Sequence, residues 1–175
     1  MNMNMNRKGS RPMKQLAIHS LEETRAFASA MAKAIGERNA ILCLRGDLGA
    51  GKTTWTKALG KALGVKGTIN SPTFTIMKSY KMGDGRSLHH IDAYRLEGLD
   101  QDLGFEELMD EGVVVVEWSD FLQNALPEDA MILTIENGED ENRLFSLEAS
   151  GENSQAILDQ ALKNFEEQQK EGTQA

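Results

Sequence analysis

Apolar and polar positions alternate along the chain with two different periods, which predict strands and helices in turn. Runs that are apolar at every position or at every second position predict strands at residues 14–19, 40–44, 73–81, 87–93, 113–116, 130–137 and 143–149. Apolar residues at helical spacing predict helices at residues 20–36, 54–63, 103–109 and 155–168. Strands therefore alternate with helices through most of the sequence.

Short local signals mark where several of these elements begin or reverse direction. Residues 20–23, Ser-Leu-Glu-Glu, form a capping box that opens the first helix. The turn at residues 83–86 contains an Asp-Gly pair, which favours an antiparallel hairpin between the strands on either side. Residues 130–137 and 143–149 predict a second hairpin. Part of the sheet is therefore expected to be antiparallel.

Residues 46–53, Gly-Asp-Leu-Gly-Ala-Gly-Lys-Thr, match the phosphate-binding loop pattern G-x-x-x-x-G-K-[ST] at every fixed position. Gly46 and Gly51 allow the backbone to curl until its N–H groups point inward. Lys52 then reaches the phosphate oxygens as a point charge, and the Thr53 hydroxyl is placed to hold Mg²⁺. The loop predicts binding of a nucleoside triphosphate, and the alternative is a glycine-rich turn.

The phosphate loop, set between a predicted strand and a predicted helix, places the chain in the α/β class. We expect a three-layer P-loop NTPase-like domain with a mixed central sheet, in which parallel strands are joined by antiparallel hairpins. With 175 residues, 40% of them hydrophobic, the chain is long enough for one domain with a core. We assign this domain to residues 13–168, with a disordered tail at 1–12 and a frayed tail at 169–175.

The charge balance restricts the expected partners and compartment. Lys and Arg number 19 against 27 Asp and Glu, a net charge of −8, which repels nucleic acid and anionic membranes. No basic patch is expected beyond Arg7, Lys8 and Arg11. No apolar run approaches the roughly 18 residues of a membrane helix, so no membrane partner is expected. The single cysteine, Cys43, excludes a disulfide framework and suits a cytoplasmic protein.

Four consecutive valines at residues 113–116 lead directly into Glu117, which gives this segment the pattern of a Walker B strand. The C-terminal end of such a strand lies at the sheet edge that also carries the phosphate loop. Glu117 is therefore a candidate to orient Mg²⁺ or its water. The alternative is a buried strand that ends in a solvated carboxylate.

Residues 89–95, His-His-Ile-Asp-Ala-Tyr-Arg, form a second polar cluster in which alternation puts His90, Asp92 and Tyr94 on one strand face. Asp92 is a candidate to position or deprotonate the attacking water. The equally weighted alternative is a polar strand edge with an ion pair between Asp92 and Arg95. Two histidines without a nearby cysteine or third histidine fall short of a zinc site, so no zinc is expected.

A third cluster, Ser-Pro-Thr-Phe-Thr at residues 71–75, follows the phosphate loop and its helix. Pro72 fixes an extended entry, and hydroxyl groups flank it on both sides. In switch-type nucleotide hydrolases a loop at about this place senses the γ-phosphate. The residues alone favour the simpler interpretation, a loop that enters a strand.

These motifs occur together in an order and spacing that resemble the TsaE (YjeE) family. They are GDLGAGKTT at 46–54, SPTF at 71–74, HIDAYR at 90–95, LGFEE at 103–107 and VEW at 116–118. Members of that family are small bacterial ATPases needed to make N6-threonylcarbamoyladenosine at position 37 of tRNAs that read codons beginning with A. The resemblance covers about residues 20–143 and implies ATP and Mg²⁺ as cofactors.

The resemblance also implies roles for individual residues. The implied nucleotide-binding residues are Gly46, Asp47, Leu48, Gly49, Ala50, Gly51, Lys52, Thr53, Thr54 and Arg143. Thr53 and Glu117 would hold Mg²⁺, while Lys52, Glu117 and Asp92 form the catalytic set. Arg143 corresponds to the arginine of a family Gly-Arg pair, although here it follows Asn142.

The family further implies partners, namely TsaD-like and TsaB-like proteins. These would stimulate the slow ATPase activity of this chain, and tRNA would be contacted through the complex with them. Two alternatives remain open. A small-molecule kinase would need a cationic lid over the phosphates, and the scattered basic residues Lys78, Lys81, Arg86 and Arg95 do not form one. A non-catalytic ATP-binding docking module would use nucleotide only to stabilise one conformation.

Overall fold

The computed structural model describes residues 13–46, 51–70, 77–92, 105–117 and 127–174. The described strands are β1 Lys14–Ile18, β2 Ala40–Gly46, β3 Met77–Lys81, β4 Ser87–Asp92, β5 Gly112–Glu117, β6 Met131–Asn137 and β7 Arg143–Ala149. The described helices are α1 Leu21–Ile35, α2 Lys52–Ala62, α3 Phe105–Met109 and α4 Glu152–Gln174. Every predicted element is therefore present, although the first residues predicted for β3 and α3 lie outside the described ranges.

The seven described strands form one mixed sheet in the order β1-β7-β6-β2-β5-β4-β3. Its four central strands are parallel, through the pairs β6–β2, β2–β5 and β5–β4. The outer pairs β1–β7, β7–β6 and β4–β3 are antiparallel, which confirms both predicted hairpins. Because the central strands share one direction, their carboxyl ends meet at one edge, where Gly46, Asp92 and Glu117 lie.

Helices cover both faces of the sheet, which confirms the layered α/β architecture. On one face, α1 packs between α2 and α4. The Phe27 ring on α1 lies edge-to-face against Phe145 of β7 at 5.5 Å and Phe165 of α4 at 5.6 Å, and tilted against Trp55 of α2 at 6.0 Å. One buried ring thus joins three helices to the sheet, and this cluster fixes the position of α2.

The opposite face of the sheet has a smaller apolar core, made of Ile41, Cys43, Ile91, Val114, Val116, Ala130 and Ile132. Leu108 and Met109 of α3 pack against it. Burial raises the pKa of the Cys43 thiol to about 12, so this group stays protonated and inert at neutral pH. None of the described helices combines the length and apolar character needed to cross a membrane.

The capping signal of α1 works largely as predicted. Ser20 Oγ accepts a hydrogen bond from the Glu23 backbone N–H at 3.0 Å, and Glu23 Oε1 accepts one from the His19 N–H at 2.9 Å. At the other end, Gly36 adopts φ +52°, and its N–H donates to the Ala32 carbonyl at 3.0 Å. The helix therefore begins and ends where its sequence signals it.

Two helices begin earlier than their periodicity predicted. α2 starts at Lys52, because Gly51 takes the left-handed conformation that ends the loop, with φ +103°. α4 starts at Glu152, because the Asp129 carboxylate accepts hydrogen bonds from the N–H groups of Asn153 and Ser154 at 3.1 and 2.8 Å. This cap comes from a segment distant in sequence. α4 also continues to Gln174, beyond the predicted end at residue 168.

Gly112, the first residue of β5, allows a close approach that a larger residue would prevent. Its φ is +148°, and a Cβ atom there would overlap the Ser87 backbone oxygen of the neighbouring strand. Gly67 also has a positive φ, +90°, but a Cβ there would meet no atom within 4 Å. Alanine at Gly67 would therefore introduce backbone strain alone, whereas alanine at Gly112 would introduce strain and steric overlap together.

We predict that Gly112→Ala lowers the free energy of unfolding by about 3 kcal/mol or more, through strain and backbone overlap together. Gly67→Ala, the matched control, should lose only about 1 kcal/mol, because strain acts alone there. Urea unfolding followed by circular dichroism measures both variants. Equal losses of unfolding free energy in the two variants would show that overlap with Ser87 adds nothing to the cost of a side chain at Gly112.

Candidate functional site

The candidate site begins at the junction of β2 and α2. The two glycines that bound the phosphate loop both have positive φ values, +143° at Gly46 and +103° at Gly51. These are conformations that glycine adopts without strain, as the loop pattern predicts. The loop residues Asp47, Leu48, Gly49 and Ala50 lie outside the described residues. The two ends of the loop therefore have the backbone conformations that explain glycine at these positions.

Lys52 is the first residue of α2 and is partly buried. Its Nζ donates a hydrogen bond of 2.6 Å to the carbonyl oxygen of Gly46, at the end of β2. The ammonium group therefore bends back across the two ends of the loop. Burial raises the pKa of the nearby Glu117 carboxylate, and the charge of Lys52 opposes that rise.

Glu117 is the last residue of β5, and only 8% of its surface is exposed. The side chain of Thr53 makes a hydrogen bond to its carboxylate. Burial raises the pKa of Glu117, and the nearby charge of Asp92 acts in the same direction, while Lys52 and Thr53 oppose the shift. A buried carboxylate beside a hydroxyl group offers the hard oxygen ligands that Mg²⁺ prefers.

Asp92 ends β4 directly opposite Glu117 in the parallel register of β4 and β5. Side chains of paired residues in a parallel ladder point to the same face, so both carboxylates lie on the sheet face covered by α2. Asp92 is partly buried. The predicted neighbours Tyr94 and Arg95 lie outside the described residues, so an ion pair between Asp92 and Arg95 stays a prediction.

His90 lies one alternate position before Asp92 and is fully buried. Its Nε2 atom is 3.7 Å from Glu117 Oε2, and the ring also meets the backbone of Asn70. Burial lowers the pKa of His90 to about 4, although a hydrogen bond with the Asn70 backbone and the charge of Asp92 oppose this shift. The imidazole is therefore neutral at pH 7, and its contact with Glu117 is not an ion pair.

The adjacent histidine, His89, belongs to the opposite face of the sheet. Its Nδ1 atom lies 2.7 Å from Ser79 Oγ, and its Nε2 atom lies 2.6 Å from Glu111 Oε1. His89 and His90 thus have no common neighbourhood in which to bind one metal ion. Among the described residues, no group of three or more His, Cys, Asp or Glu side chains is arranged to hold a metal.

Arg143 begins β7 and lies beside the end of the phosphate loop. Its Nη1 atom donates to the carbonyl oxygens of Asp140 and Asn142, at 2.9 and 2.7 Å. Its Nε atom lies 3.7 Å from the place that a Cβ atom on Gly51 would occupy. Arg143 and Thr54 also line one small cavity of about 20 Å³. The structure therefore brings Arg143 beside Gly51 and Thr54, at the end of the phosphate-loop pattern.

One surface feature contradicts the sequence analysis, which expected no basic patch beyond Arg7, Lys8 and Arg11. Arg25 of α1 and Lys57 and Lys61 of α2 line one groove. These cations come from helices separated by a strand and a loop, and the packing of α1 on α2 makes them neighbours. A partial signal was present in the sequence, because α2 has three lysines and no acidic residue.

The buried state of His90 predicts a pH-dependent stability in the absence of Mg²⁺ and nucleotide. Its pKa falls from about 6.5 in the unfolded chain to about 4 in the folded protein. The folded state therefore resists protonation, so stability is complete above pH ~6.5 and is lost as the pH falls toward ~4. The loss amounts to about 3 kcal/mol.

His90→Gln, which cannot gain this proton, provides the comparison that isolates the effect. Urea unfolding at pH 7, 5.5 and 4 should show the wild-type protein losing stability relative to the variant as the pH falls. Titrating groups remote from residue 90 contribute equally to both proteins and cancel in the difference. A constant difference across this range would mean that His90 takes up its proton as readily in the folded state as in the unfolded chain.

Proteins of a known family resemble this chain in sequence. A family model for the threonylcarbamoyl adenosine biosynthesis protein TsaE matches residues 18–145. The tRNA threonylcarbamoyladenosine biosynthesis protein TsaE of Bacillus subtilis (strain 168) is 38% identical over 155 residues, which cover 87% of this chain and 97% of that protein. The protein of the same name from Streptomyces coelicolor is 46% identical over 100 residues, which cover 55% of this chain and 68% of that protein.

A solved structure agrees with these matches. The crystal structure of Bacillus subtilis YdiB superposes with a TM-score of 0.67 at 32% sequence identity, covering 87% of this chain and 95% of that one. The family match spans the ends of the phosphate loop together with Asp92, Glu117 and Arg143. On the extent of the family match and the shared fold, this chain belongs to the TsaE family.

Proposed function

We propose that this protein is a Mg²⁺-dependent ATPase that takes part in forming threonylcarbamoyladenosine in tRNA. One observation carries the proposal. In a chain of the TsaE family, Lys52, Thr53, Asp92 and Glu117 come from three separate elements to one sheet edge, where Thr53 makes a hydrogen bond to Glu117. Such a group has no evident structural purpose, because it concentrates buried charge where an apolar contact would be more stable.

Phosphate binding is the first role in this proposal. The first N–H groups of α2 have no partner within the helix, and its dipole adds positive potential at the same end. Lys52 stands at that end and supplies a full positive charge. Lys52 now donates to the Gly46 carbonyl oxygen. A β- or γ-phosphate oxygen would take the place of that acceptor, and the resulting charge-assisted hydrogen bond would be stronger.

Thr53 and Glu117 fit a magnesium ion, because they place a hydroxyl and a carboxylate oxygen side by side. Mg²⁺ in nucleotide sites needs only one or two such protein ligands, since phosphate oxygens and water complete its coordination. When bound, the ion neutralises charge on the β- and γ-phosphates. The ion would also stabilise the ionised form of Glu117, which burial disfavours.

Asp92 is the residue we assign to the attacking water. In the hydrolysis, the water oxygen bonds to the γ-phosphorus, the bond to the bridging oxygen breaks, and ADP leaves. The transition state is loose, so orientation of the water contributes more than removal of its proton. Asp92 is partly exposed beside the buried Glu117, and it can therefore hold a water that Glu117 does not reach.

Partners enter the proposal because the described site has few cations for the transition state. Lys52 and Arg143 are the cations with contacts at the described ends of the loop, and Arg45 directly precedes Gly46. A TsaD-like and TsaB-like pair would complete the site and would carry the contact with tRNA. The net charge of −8 agrees with this division, because an acidic subunit gains little from direct contact with RNA.

Two substitutions separate nucleotide binding from turnover. Lys52→Ala should weaken binding of Mg·ATP tenfold or more, which corresponds to about 1.4 kcal/mol. Asp92→Asn keeps the size of the side chain and should leave the affinity within about threefold, while turnover falls about 100-fold. Fluorescent-nucleotide titration gives the affinities, and phosphate release gives the turnover.

Lys163→Ala, on the exposed face of α4, is the control for loss of a lysine charge and should change neither value. If Lys52→Ala and Asp92→Asn lost affinity equally, the separate roles of the two residues would be wrong. If Asp92→Asn kept full turnover, the water-positioning role would be wrong.

A further inference from the structure

The groove between α1 and α2 lies outside the groups assigned to nucleotide binding and hydrolysis, apart from Thr54 at its end. It has a volume of about 590 Å³, and its lining includes Arg25, Ser29, Lys57, Ala58, Lys61 and Ala62. The α2 residues recur at the spacing of one helix face and extend over about 12 Å along the axis. This length matches two turns of an added helix.

Within the part of the chain that the structure describes, the three cations of this groove have no counter-charges. Among the described residues, no carboxylate lies within ion-pair distance of Arg25, Lys57 or Lys61. No acidic residue lines the groove, and all three cations are exposed. The protein as a whole has 27 acidic residues against 19 basic ones, so this local concentration of positive charge runs against the composition.

Between the cations, the floor of the groove consists of small uncharged side chains, Ala58 and Ala62 together with Ser29 and Thr54. Ala58 is partly exposed and Ala62 is exposed, and the aliphatic stems of Lys57 and Lys61 flank them. Cations at the rim with small apolar groups between them suit a segment that carries both carboxylates and apolar side chains. An amphipathic helix in a groove is a common form of such recognition.

Two other occupants fit less well. RNA would present a line of phosphates, and a groove with three cations and a floor of small uncharged side chains offers few of the contacts that such binding needs. A second copy of this chain would have to supply an exposed acidic segment, and the acidic candidates are residues 97–111, 136–143 and 166–174. The last two contain no large apolar residue to cover the floor, and in the first, Leu108 and Met109 already pack against the protein's own sheet.

We propose that the groove between α1 and α2 docks an acidic amphipathic segment of a protein partner. The inference deepens the proposed function, on which it rests for the identity of that partner. Thr54 lines both the groove and the small cavity that contains Arg143 and Gly51. A segment bound in the groove therefore touches α2 directly after Lys52 and Thr53, and it is placed to act on the nucleotide site.

The experiment measures binding of the full chain to a TsaB–TsaD complex by biolayer interferometry in Mg·ATP. The groove variant is Lys57→Glu with Lys61→Glu, and the matched control is Lys163→Glu with Lys170→Glu on α4, which changes the net charge equally. The groove variant should bind the complex at least tenfold more weakly, and the control should bind as the wild type does. Fluorescent-nucleotide affinity should be unchanged in both variants, which verifies that they fold.

A second arm keeps the groove testable independently of that complex. The probe is a labelled helical peptide with leucines along one face and glutamates flanking them, with a scrambled peptide and a single-stranded RNA as controls. Only the helical peptide should bind, and its affinity should fall at least tenfold in the groove variant.

The outcomes distinguish the two proposals. If the groove variant bound the complex as tightly as the wild type, the docking surface would be wrong while the proposed function stood. If the wild type bound no TsaB–TsaD complex, the proposed partnership would fail. Binding of the helical peptide would then test whether the groove is a docking surface. Absence of groove-dependent peptide binding in that case, or groove-dependent binding of RNA instead, would overturn the inference.

Discussion

The pairing of β5 between two parallel neighbours is the constraint on which the candidate site depends. β5 is hydrogen-bonded to β2 on one side and to β4 on the other, so its register determines the position of Glu117 relative to both. Glu117 pairs with Leu44 near the start of the phosphate loop and with Asp92 at the end of β4. A shift of one residue in this strand would turn Glu117 away from α2. All six residues of β5 are buried, which holds the register in place.

The helix that carries Lys52 and Thr53 is fixed separately, by the packing of aromatic rings. Trp55 lies one turn into α2 and contacts Phe27 of α1, which in turn contacts Phe145 of β7. The sheet therefore orients the carboxylates, and the aromatic cluster orients the helix whose first turn meets them. Each charged group at the site is held by apolar contacts behind it. This packing offsets the cost of burying Glu117, and it buries the His90 ring beside that carboxylate.

Much of this arrangement could be predicted from the sequence, because the signals are local. The strand and helix that flank the phosphate-loop pattern, the strand formed by the valine run before Glu117 and the hairpin at the Asp-Gly turn were each predicted and are present in the structure. The mixed sheet also followed from the two hairpins. Contacts between distant segments could not be predicted in the same way. The Asp129 cap of α4, the position of Arg143 beside Gly51 and the groove of cations all depend on tertiary packing. The neutral state of His90 depends on burial that the strand alternation alone did not show.

Steady-state release of phosphate from Mg·ATP tests the central claim most directly. The measurement compares the chain alone with the chain mixed with TsaB and TsaD proteins, and Glu117→Gln serves as the control because it keeps the shape of the side chain and removes its charge. The account predicts slow release by the free chain, a rise of tenfold or more on adding the partners, and loss of that rise in the control. Fast release that ignores the partners, or full stimulation of Glu117→Gln, would contradict the account.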